Sequence, residues 1–412
     1  MENSLRNMII RNRLSLNRSA APLQIIMKSQ PSMKLLPVLI ITGSLLIAAS
    51  LAGCKDGPGT GREPSVEESR LTVQYSPLPA DDWAVSTPED QNLDDELITD
   101  LYKNAAELKT LYSLLIVSNG FLIAEQYFNG GSMDDQTLLQ SVSKSYISAL
   151  IGIAIQEGCL SSVDQKMIDF FPEVADDLTD PRKREISIRQ MLQMRSGYPD
   201  EETDRAYLEA LYWGVYPPLI EDFPLVSAPG TAFHYSNVTY SWLAILLERA
   251  CGPDLKDFAR QNLFEPIGTE VGKWLTDREG HYIGSGGIHV TARDAAKFGL
   301  LYLNHGDWEG RQVISADWVH ASLRRYSKVK RNYGRGFAFR DLGYGYGWWS
   351  ASAGDHNFSF AWGHGGQLIV LLDELHMVIV TTADPFFGQH NSESWRHEKA
   401  VFNLVGRFIE TL

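Results

Sequence analysis

Several chemical signatures are missing from this sequence, and each absence argues against a class of function. The 412 residues contain only three cysteines, Cys54, Cys159 and Cys251, which form no CxxC pair and no His/Cys cluster with zinc spacing. No HExxH helix, phosphate loop or GxGxxG turn occurs, so the sequence predicts no metal and no nucleotide cofactor. The GxSxG elbow is also missing, which removes one common arrangement of a reactive serine.

Positive charge is also scarce. Lys and Arg number 37 against 51 Asp and Glu, which gives a net charge of −14. A nucleic-acid-binding surface needs a basic face, so we expect no nucleic-acid partner. The chain is 44% hydrophobic, which is ample for a large folded core. Cys159 and Cys251 end apolar helical patterns, and we interpret them as buried thiols, with a disulfide between them as the alternative.

The N-terminal part resembles a bacterial lipoprotein signal. Lys34 is followed by a long apolar run that ends in Leu-Ala-Gly-Cys54. We expect residues 1–54 to be a leader and signal, with Cys54 lipidated, and residues 55–75, rich in Gly, Pro, Ser and charge, to be a tether. The protein would then be exported across the cytoplasmic membrane and anchored by its lipid on the periplasmic side or in the cell envelope. A plain transmembrane anchor is the alternative, because the run is nearly long enough to span a bilayer.

Residues 76–412 carry the pattern of one α+β domain. Two apolar runs flank Asn119-Gly120, which is a strong hairpin signal. A second hairpin is predicted from Gln367–Leu372 and Leu375–Thr382. Helical patterns fill the middle of the chain, and the last twenty residues read as an amphipathic helix. We predict an antiparallel sheet built from N- and C-terminal segments and flanked by helices, with a mostly helical insertion at about 159–285.

A serine and a lysine three residues apart stand where a central helix is predicted to begin. In QSVSKSYISALIGIAIQEG, Ser141 and Lys144 precede an apolar run. Helix N-termini have unpaired N–H groups that favour an oxyanion, and residues three apart share a face. The alternative is an ordinary N-cap with a surface charge. A second copy, Ser327 and Lys330, has no apolar helix behind it, and we interpret it as solvated surface.

Two later stretches place polar residues beside apolar elements. In FHYSNVTYSW, Tyr235 and Asn237 precede an apolar helix, and in AWGHGGQLIVLL, His364-Gly365-Gly366 leads into a strand. Glycines there would let a substrate lie against the strand edge. Trp348 and Trp349, in YGYGWW, could line a substrate pocket or pack in the core.

In this order the three stretches resemble the serine β-lactamase and penicillin-binding superfamily. ISIRQMLQMRSGYP, GSGGIHVTARDAAKFG and YGYGWW add support, and the resemblance runs from about Leu111 to Leu412. The most similar branch is the class C β-lactamase-like hydrolases, with esterases, D-aminopeptidases, DD-carboxypeptidases and 6-aminohexanoate-dimer hydrolases. The resemblance implies the β-lactamase/transpeptidase-like α+β fold and a serine hydrolase without a cofactor.

The resemblance also implies a role for each motif. Ser141 would be the acyl-accepting nucleophile, with Lys144 and Tyr235 as the proton-handling pair. A lysine with a pKa of about 10.4 is rarely neutral at pH 7, and deprotonation there costs about 4.6 kcal/mol unless burial lowers that cost. Alternatively, Tyr235 is the base, as a phenolate held by a cationic Lys144. The sequence leaves both mechanisms open.

The remaining motif positions would contact the substrate. The resemblance makes Asn237 a hydrogen-bonding residue and places His364 and Gly366 in the third motif. The oxyanion hole would use the backbone N–H groups of Ser141 and Gln367. β-Lactamases of this fold usually have Lys-Thr-Gly at the third motif. A histidine with a pKa of about 6.5 is mostly neutral at pH 7, so we predict weak β-lactam turnover.

The sequence therefore predicts an extracytoplasmic serine hydrolase that cleaves ester or amide bonds of small molecules through an acyl-enzyme. A DD-peptidase or penicillin-binding protein that acts on cell-wall peptides is the alternative within the family. A non-catalytic binding lipoprotein is the alternative outside the enzymes, and the intact Ser, Lys and Tyr set argues against it.

Overall fold

The computed structural model describes residues 73–252, 254–329, 337–387 and 393–412. The predicted signal, Cys54 and residues 55–72 of the predicted tether lie outside these ranges, as does Lys330. None of the described helices is both long and apolar enough to cross a membrane.

A large antiparallel sheet joins the two ends of the described chain. Its strands run in the order β2-β1-β12-β11-β10-β9-β8-β7. Pairing of β1 with β12, for example Ile116 opposite Ile379, brings N- and C-terminal segments together. The predicted sheet architecture is therefore confirmed. The strands are Leu111–Ser118 (β1), Phe121–Tyr127 (β2), Thr137–Leu138 (β3), His289–Val290 (β4), Asp307–Trp308 (β5), Arg311–Gln312 (β6), Ser327–Lys328 (β7), Arg340–Tyr344 (β8), Trp349–Ala353 (β9), His356–Gly363 (β10), Gln367–Leu372 (β11) and Met377–Ala383 (β12).

Both predicted hairpins are present. Asn119 and Gly120 have φ of 50° and 85°, the left-handed pair that a tight two-residue turn needs. The second hairpin joins β11 and β12, but its return strand begins at Met377 rather than Leu375. Residues Asp373–Leu375 form a 3-10 turn that ends at His376, with φ 45°, so the turn is longer than the predicted two residues.

Helices pack on both faces of the sheet. The α-helices of the described residues are Asp95–Ala106 (α1), Ser143–Gln156 (α2), Pro172–Ala175 (α3), Ile188–Leu192 (α4), Arg205–Trp213 (α5), Leu219–Asp222 (α6), Asn237–Cys251 (α7), Leu255–Ala259 (α8), Ala292–Leu303 (α9), Ala316–Leu323 (α10) and Glu393–Ile409 (α11). Side chains alternate along β11. Ile369 contacts Gly299 of α9. Leu368 pairs with Trp362, whose ring lies 5.0 Å from that of Phe402 in α11, on the opposite face.

The predicted central helix begins later than expected. It starts at Ser143, and Ser141 lies in a separate 3-10 turn, Gln140–Val142, where Gln140 has φ of 50°. The reason is a close approach of β10 to this turn. A Cβ atom on Gly363 would lie 2.1 Å from the carbonyl oxygen of Leu139. The strand therefore lies directly against the turn that carries Ser141.

Local details of the helical region follow the sequence in most places. Ser187 and Gln190 form a capping box, and the Thr291 hydroxyl accepts from the Asp294 N–H. Cys159 and Cys251 are free thiols, and burial together with contact with Cys159 raises the pKa of Cys251. The interpretation of Ser327 as solvated surface is wrong, because strand pairing buries it in β7.

Candidate active site

Lys144 is buried at the base of a cavity and bonds three oxygen atoms. Its side chain points from the first turn of α2 towards the start of α7, and the residue is 1% exposed. The amine donates to Ser141 Oγ at 2.8 Å, to Asn237 Oδ1 at 2.8 Å and to the Ser285 carbonyl oxygen at 2.7 Å. None of these three oxygens carries a formal charge.

The surroundings of Lys144 favour the neutral amine. Burial lowers its pKa to about 7, against the smaller raising effects of Glu202 and Glu201. Removal of an ammonium from water is costly when no carboxylate bonds it directly. At pH 7, both protonation states of this lysine are therefore populated. The predicted reactive serine thus has a titratable amine within hydrogen-bonding distance.

Tyr235 lies beside the same amine. Lys144 Nζ is 4.8 Å from the centre of the Tyr235 ring. The ring also stacks on Trp349 at 5.6 Å, and its edge meets Tyr344. The structure therefore brings Ser141, Lys144 and Tyr235 to one place. The aromatic packing fixes the ring, and the ring face is where a cation is attracted.

Asn237 links the lysine to two carboxylates that the sequence prediction missed. Its Nδ2 donates to Glu202 Oε1 at 3.2 Å, while its backbone N–H donates to Glu201 Oε2 at 2.7 Å. Glu201 also accepts from the Ser236 hydroxyl and the Val238 N–H, so it caps the N-terminus of α7. Burial raises the pKa of Glu201 to about 7.

The sequence contained only a weak signal for these carboxylates. PDEETD follows the SGYP stretch, and an acidic run is usually a solvated face. Glu202 lines the cavity and is reached by solvent, although protein atoms surround its carboxylate and raise its pKa. Glu201, its neighbour, is fully buried. One residue in the acidic run thus supports the helix and the next faces the cavity, a division that only the fold shows.

His364 is paired with a buried carboxylate, which the sequence analysis did not predict. Its Nδ1 lies 2.9 Å from Glu398 Oε2, and this hydrogen bond raises the pKa of His364. Glu398 is fully buried and also accepts from Trp362 Nε1 at 3.0 Å and from the Gly365 N–H at 2.7 Å. The interpretation of a mostly neutral His364 therefore lacks support. No sequence pattern pairs positions 364 and 398.

The glycines of the third motif form a turn, and their predicted role at the substrate stays a prediction. Gly365 and Gly366 have φ of 90° and 103°, and they form the turn between β10 and β11. A Cβ on Gly366 would lie 2.9 Å from the Val401 side chain. Gln367 follows the turn, and its side-chain amide bonds the backbone of Ala383 at 2.7 and 3.0 Å. The predicted oxyanion contacts of Ser141 and Gln367 stay a prediction.

Four of the predicted site residues line a cavity of about 480 Å³, whereas Gly366 and Gln367 do not line it. Ser141, Tyr235, Asn237 and His364 line it directly, whereas Lys144 lies behind Ser141 and Asn237. The two tryptophans of YGYGWW lie in different surroundings. Trp349 lines the cavity, and Trp348 is buried against Tyr302. No group of three or more His, Cys, Asp or Glu among the described residues is placed to hold a metal ion.

Comparison with known proteins assigns the family. Residues 112–397 match the Beta-lactamase family. The chain belongs to that family. It is 28% identical over 272 residues to the 6-aminohexanoate-dimer hydrolase of Paenarthrobacter ureafaciens, a match that covers 62% of this chain and 68% of the relative.

Two solved structures show the same fold as this β-lactamase family member. A candidate 6-aminohexanoate-dimer hydrolase from Bacillus anthracis is 20% identical, with a TM-score of 0.60, over 82% of this chain and 88% of that one. An octameric penicillin-binding protein homologue from Pyrococcus abyssi is 18% identical, with a TM-score of 0.55, over 70% and 73%. The predicted superfamily is therefore confirmed, and the protein is a member of a hydrolase family.

Proposed function

We propose that this protein hydrolyses small neutral esters or amides through an acyl-enzyme on Ser141, with Lys144 as the base. The observation that carries the proposal is the 2.8 Å contact between Lys144 Nζ and Ser141 Oγ, in a site where burial lowers the pKa of Lys144 to about 7. A base with a pKa near the working pH transfers protons most effectively. The amide hydrolysed by the 6-aminohexanoate-dimer hydrolase relative suggests that amides belong to the substrate range.

The hydrogen bonds of Lys144 accommodate both the neutral amine and the ammonium. The carbonyl oxygens of Asn237 and Ser285 can only accept, so they take two N–H groups. The neutral amine has no third hydrogen. Its lone pair is then free to accept the hydroxyl proton of Ser141. The same geometry suits the ammonium formed afterwards, which donates its third hydrogen back to Ser141 Oγ.

The proposed reaction returns the site to its starting state. Ser141 Oγ forms a bond to the substrate carbonyl carbon while its proton moves to Lys144. The tetrahedral intermediate expels the alcohol or amine, which takes that proton. Water then attacks the acyl-enzyme and gives its proton to Lys144. The acid leaves, and the proton returns to Ser141 Oγ. Tyr235 contributes its ring face, which attracts the transient ammonium.

The charges around the cavity favour a substrate without a carboxylate. The cavity-lining residues that the structure describes include Glu202 and Glu398 but no lysine or arginine. His364 is paired with Glu398, so a positive charge on its ring would be balanced within the site. A β-lactam carboxylate would therefore meet no unpaired cation. Weak β-lactam turnover remains our expectation, now for this reason.

The test replaces Ser141. We expect Ser141→Ala to lower kcat/KM for p-nitrophenyl acetate at least 1,000-fold, because the acyl-enzyme can no longer form. Ser327→Ala, the serine of the other Ser-x-x-Lys, should match the wild type. Mass spectrometry after a fluorophosphonate should place the label on Ser141. Wild-type activity in Ser141→Ala would show that Ser141 is not the nucleophile, whereas no turnover above the uncatalysed rate by either protein would support a binding protein.

The substrate panel separates the alternatives within the family. We expect nitrocefin to be hydrolysed much more slowly than p-nitrophenyl acetate. Equal rates would contradict the preference for neutral substrates. Release of D-Ala from a muropeptide, without ester or amide hydrolysis, would make the protein a DD-peptidase.

We also propose that the enzyme acts outside the cytoplasm and is anchored by a lipid on Cys54. The apolar run ending in Leu-Ala-Gly-Cys54 supports this. Metabolic labelling with a radioactive fatty acid should mark the wild type and not Cys54→Ala. Equal labelling of both would contradict the anchor.

A further inference from the structure

Three aromatic side chains stand unusually exposed around the mouth of the cavity. Tyr212 is 70% exposed, Phe386 is 57% exposed and Trp395 is 49% exposed. Among the described residues, eight large apolar side chains are exposed, and these three of the eight line this one cavity. We call Tyr212, Phe386 and Trp395 the aromatic rim.

The aromatic rim is assembled from separate parts of the fold. Tyr212 belongs to α5, Phe386 follows β12 and Trp395 lies in the first turn of α11. Isolated exposed apolar side chains are common and need no explanation, but a cluster at a concave site marks a binding surface. Two regions that are distant in sequence, one with Tyr212 and one with Phe386 and Trp395, place such side chains at one opening. Chance exposure of a single loop does not account for this.

The wall below the rim continues the apolar surface. Leu208 and Leu211 of α5 line the cavity together with Tyr212, at the spacing that places side chains on one helix face. Helix α5 therefore turns part of its apolar stripe to the cavity. The ring of Trp395 lies 5.7 Å from that of His364. The rim is thus continuous with the polar residues that surround Ser141.

Resting on the proposed function, we propose that the aromatic rim binds a bulky apolar group of the substrate, on its acyl or its alcohol or amine side. The scissile bond would lie at Ser141, inside the polar part of the cavity. The apolar group would extend outwards between Tyr212, Phe386 and Trp395. Burial of each methylene there removes apolar surface from water, which strengthens binding.

An apolar group fits this mouth better than a cation does. Aromatic side chains beside a carboxylate also attract ammonium groups, and Glu202 lies near Tyr212. The negative charge of Glu202 is already engaged by the site itself. Glu202 accepts from Asn237 and raises the pKa of both Lys144 and His364. The uncharged aromatic surface is the part of the mouth that remains available.

The first experiment compares esters that differ in size. We expect the wild-type kcat/KM for octyl acetate, for methyl nonanoate or for both to be at least tenfold higher than that for methyl acetate. The Tyr212→Ser/Trp395→Ser variant should lose that preference, with a larger fall in kcat/KM for the larger ester than for methyl acetate. Phe121→Ser removes an exposed aromatic side chain away from the cavity and should match the wild type. No size preference in the wild type would overturn the proposal, as would an equal loss for all esters.

The second experiment separates binding from chemistry and apolar groups from cations. In Ser141→Ala, titration calorimetry should show that the larger preferred ester binds at least tenfold more weakly after the two rim substitutions are added. Acetylcholine and its neutral analogue 3,3-dimethylbutyl acetate have the same shape. Tighter binding of acetylcholine would overturn the apolar assignment. If Ser141→Ala still hydrolyses the esters, the proposed nucleophile is wrong, whereas a rim-dependent affinity would still support the rim.

Discussion

Two lysines of this protein are equally buried but have opposite surroundings. Lys144 is 1% exposed and Lys183 is 2% exposed. The amine of Lys183 bonds the carbonyl oxygen of Glu221 at 2.6 Å and its carboxylate at 3.1 Å. The amine of Lys144 bonds a hydroxyl, an amide and a carbonyl oxygen, all neutral.

The difference shows that burial alone does not define a reactive lysine. A carboxylate within bonding distance compensates the desolvation of an ammonium, so the ion pair at Lys183 is a structural contact. Lys144 lacks such a partner, and its desolvation lowers the pKa instead. Glu201 and Glu202 act on it only from beyond Asn237. The nature of the direct partner separates a structural lysine from one that can exchange protons near neutral pH.

The largest expected effect comes from exchange of each lysine for methionine. Lys144→Met should lower kcat/KM for p-nitrophenyl acetate about 1,000-fold, because general-base catalysis contributes factors of about 100 to 10,000. Lys183→Met should leave the rate within about twofold. Steady-state kinetics of both variants measure the contrast.

Stability should show the opposite order, with a larger loss in Lys183→Met than in Lys144→Met. Lys183→Met should be destabilised by roughly 1–3 kcal/mol, because it leaves the Glu221 carboxylate without its partner. Urea unfolding, with circular dichroism confirming that both variants fold, provides the measurement. If Lys144→Met and Lys183→Met lose the same amount of activity, the proposed difference between the two lysines is wrong.

The second effect is a pH dependence of the wild type. If neutral Lys144 is the base, kcat/KM should rise tenfold per pH unit below the pKa of about 7 and level off above it. Replacement of the ester by its thioester should leave the midpoint in place, because it belongs to the free enzyme. A profile that is flat between pH 5.5 and 8.5 would contradict a lysine base.

The same pKa predicts a change in stability with pH. The pKa of Lys144 is lower in the folded protein than in the unfolded chain, so the unfolded chain binds the extra proton between about pH 7 and pH 10.5. The resulting destabilisation is complete below pH 7 and disappears as the pH rises towards 10.5. The free energy of unfolding of Lys144→Met minus that of the wild type should therefore fall between pH 7 and pH 10. A constant difference would show that Lys144 has an ordinary pKa.

Local pattern predicted much of the fold and the main residues of the site. The turn at Asn119-Gly120 and the capping box at Ser187 depend on residues close in sequence, and the structure contains both. The pairing of β1 with β12 followed from strands at both ends of the chain. Ordered motifs, together with a family resemblance, brought Ser141, Lys144 and Tyr235 into one prediction.

Contacts between residues that are distant in sequence could not be predicted from the sequence pattern. The protonation of His364 depends on Glu398, which lies in a helix that the amphipathic pattern predicted without indicating its buried acid. Glu201 and Glu202 are adjacent. Their different roles depend on how the 3-10 turn Glu201–Thr203 meets the start of α7. No periodicity encodes such tertiary placement of charge.

A smaller effect should come from removal of the carboxylate that faces the cavity. Glu202→Gln keeps an acceptor for the Asn237 amide but removes a negative charge that raises the pKa of Lys144. The midpoint of the kcat/KM profile should therefore move to lower pH. Glu279→Gln removes an exposed carboxylate elsewhere and should not move it. A shift to higher pH would mean that the charge of Glu202 does not act on the base.

The smallest effect on the rate should come from Glu398, because the proposed reaction passes no proton through His364. Glu398→Gln should lower the pKa of His364, since its hydrogen bond with the carboxylate is the main cause of the raised value. A raised histidine pKa stabilises the fold fully below the unfolded pKa of about 6.5, and this contribution is lost as the pH rises through the folded value. The loss of stability in Glu398→Gln should thus be greater at pH 5.5 than at pH 9, while kcat/KM for p-nitrophenyl acetate stays within about threefold. NMR titration of the His364 ring measures the pKa directly, and a thousandfold loss of activity would place this histidine beside Lys144 in the chemistry.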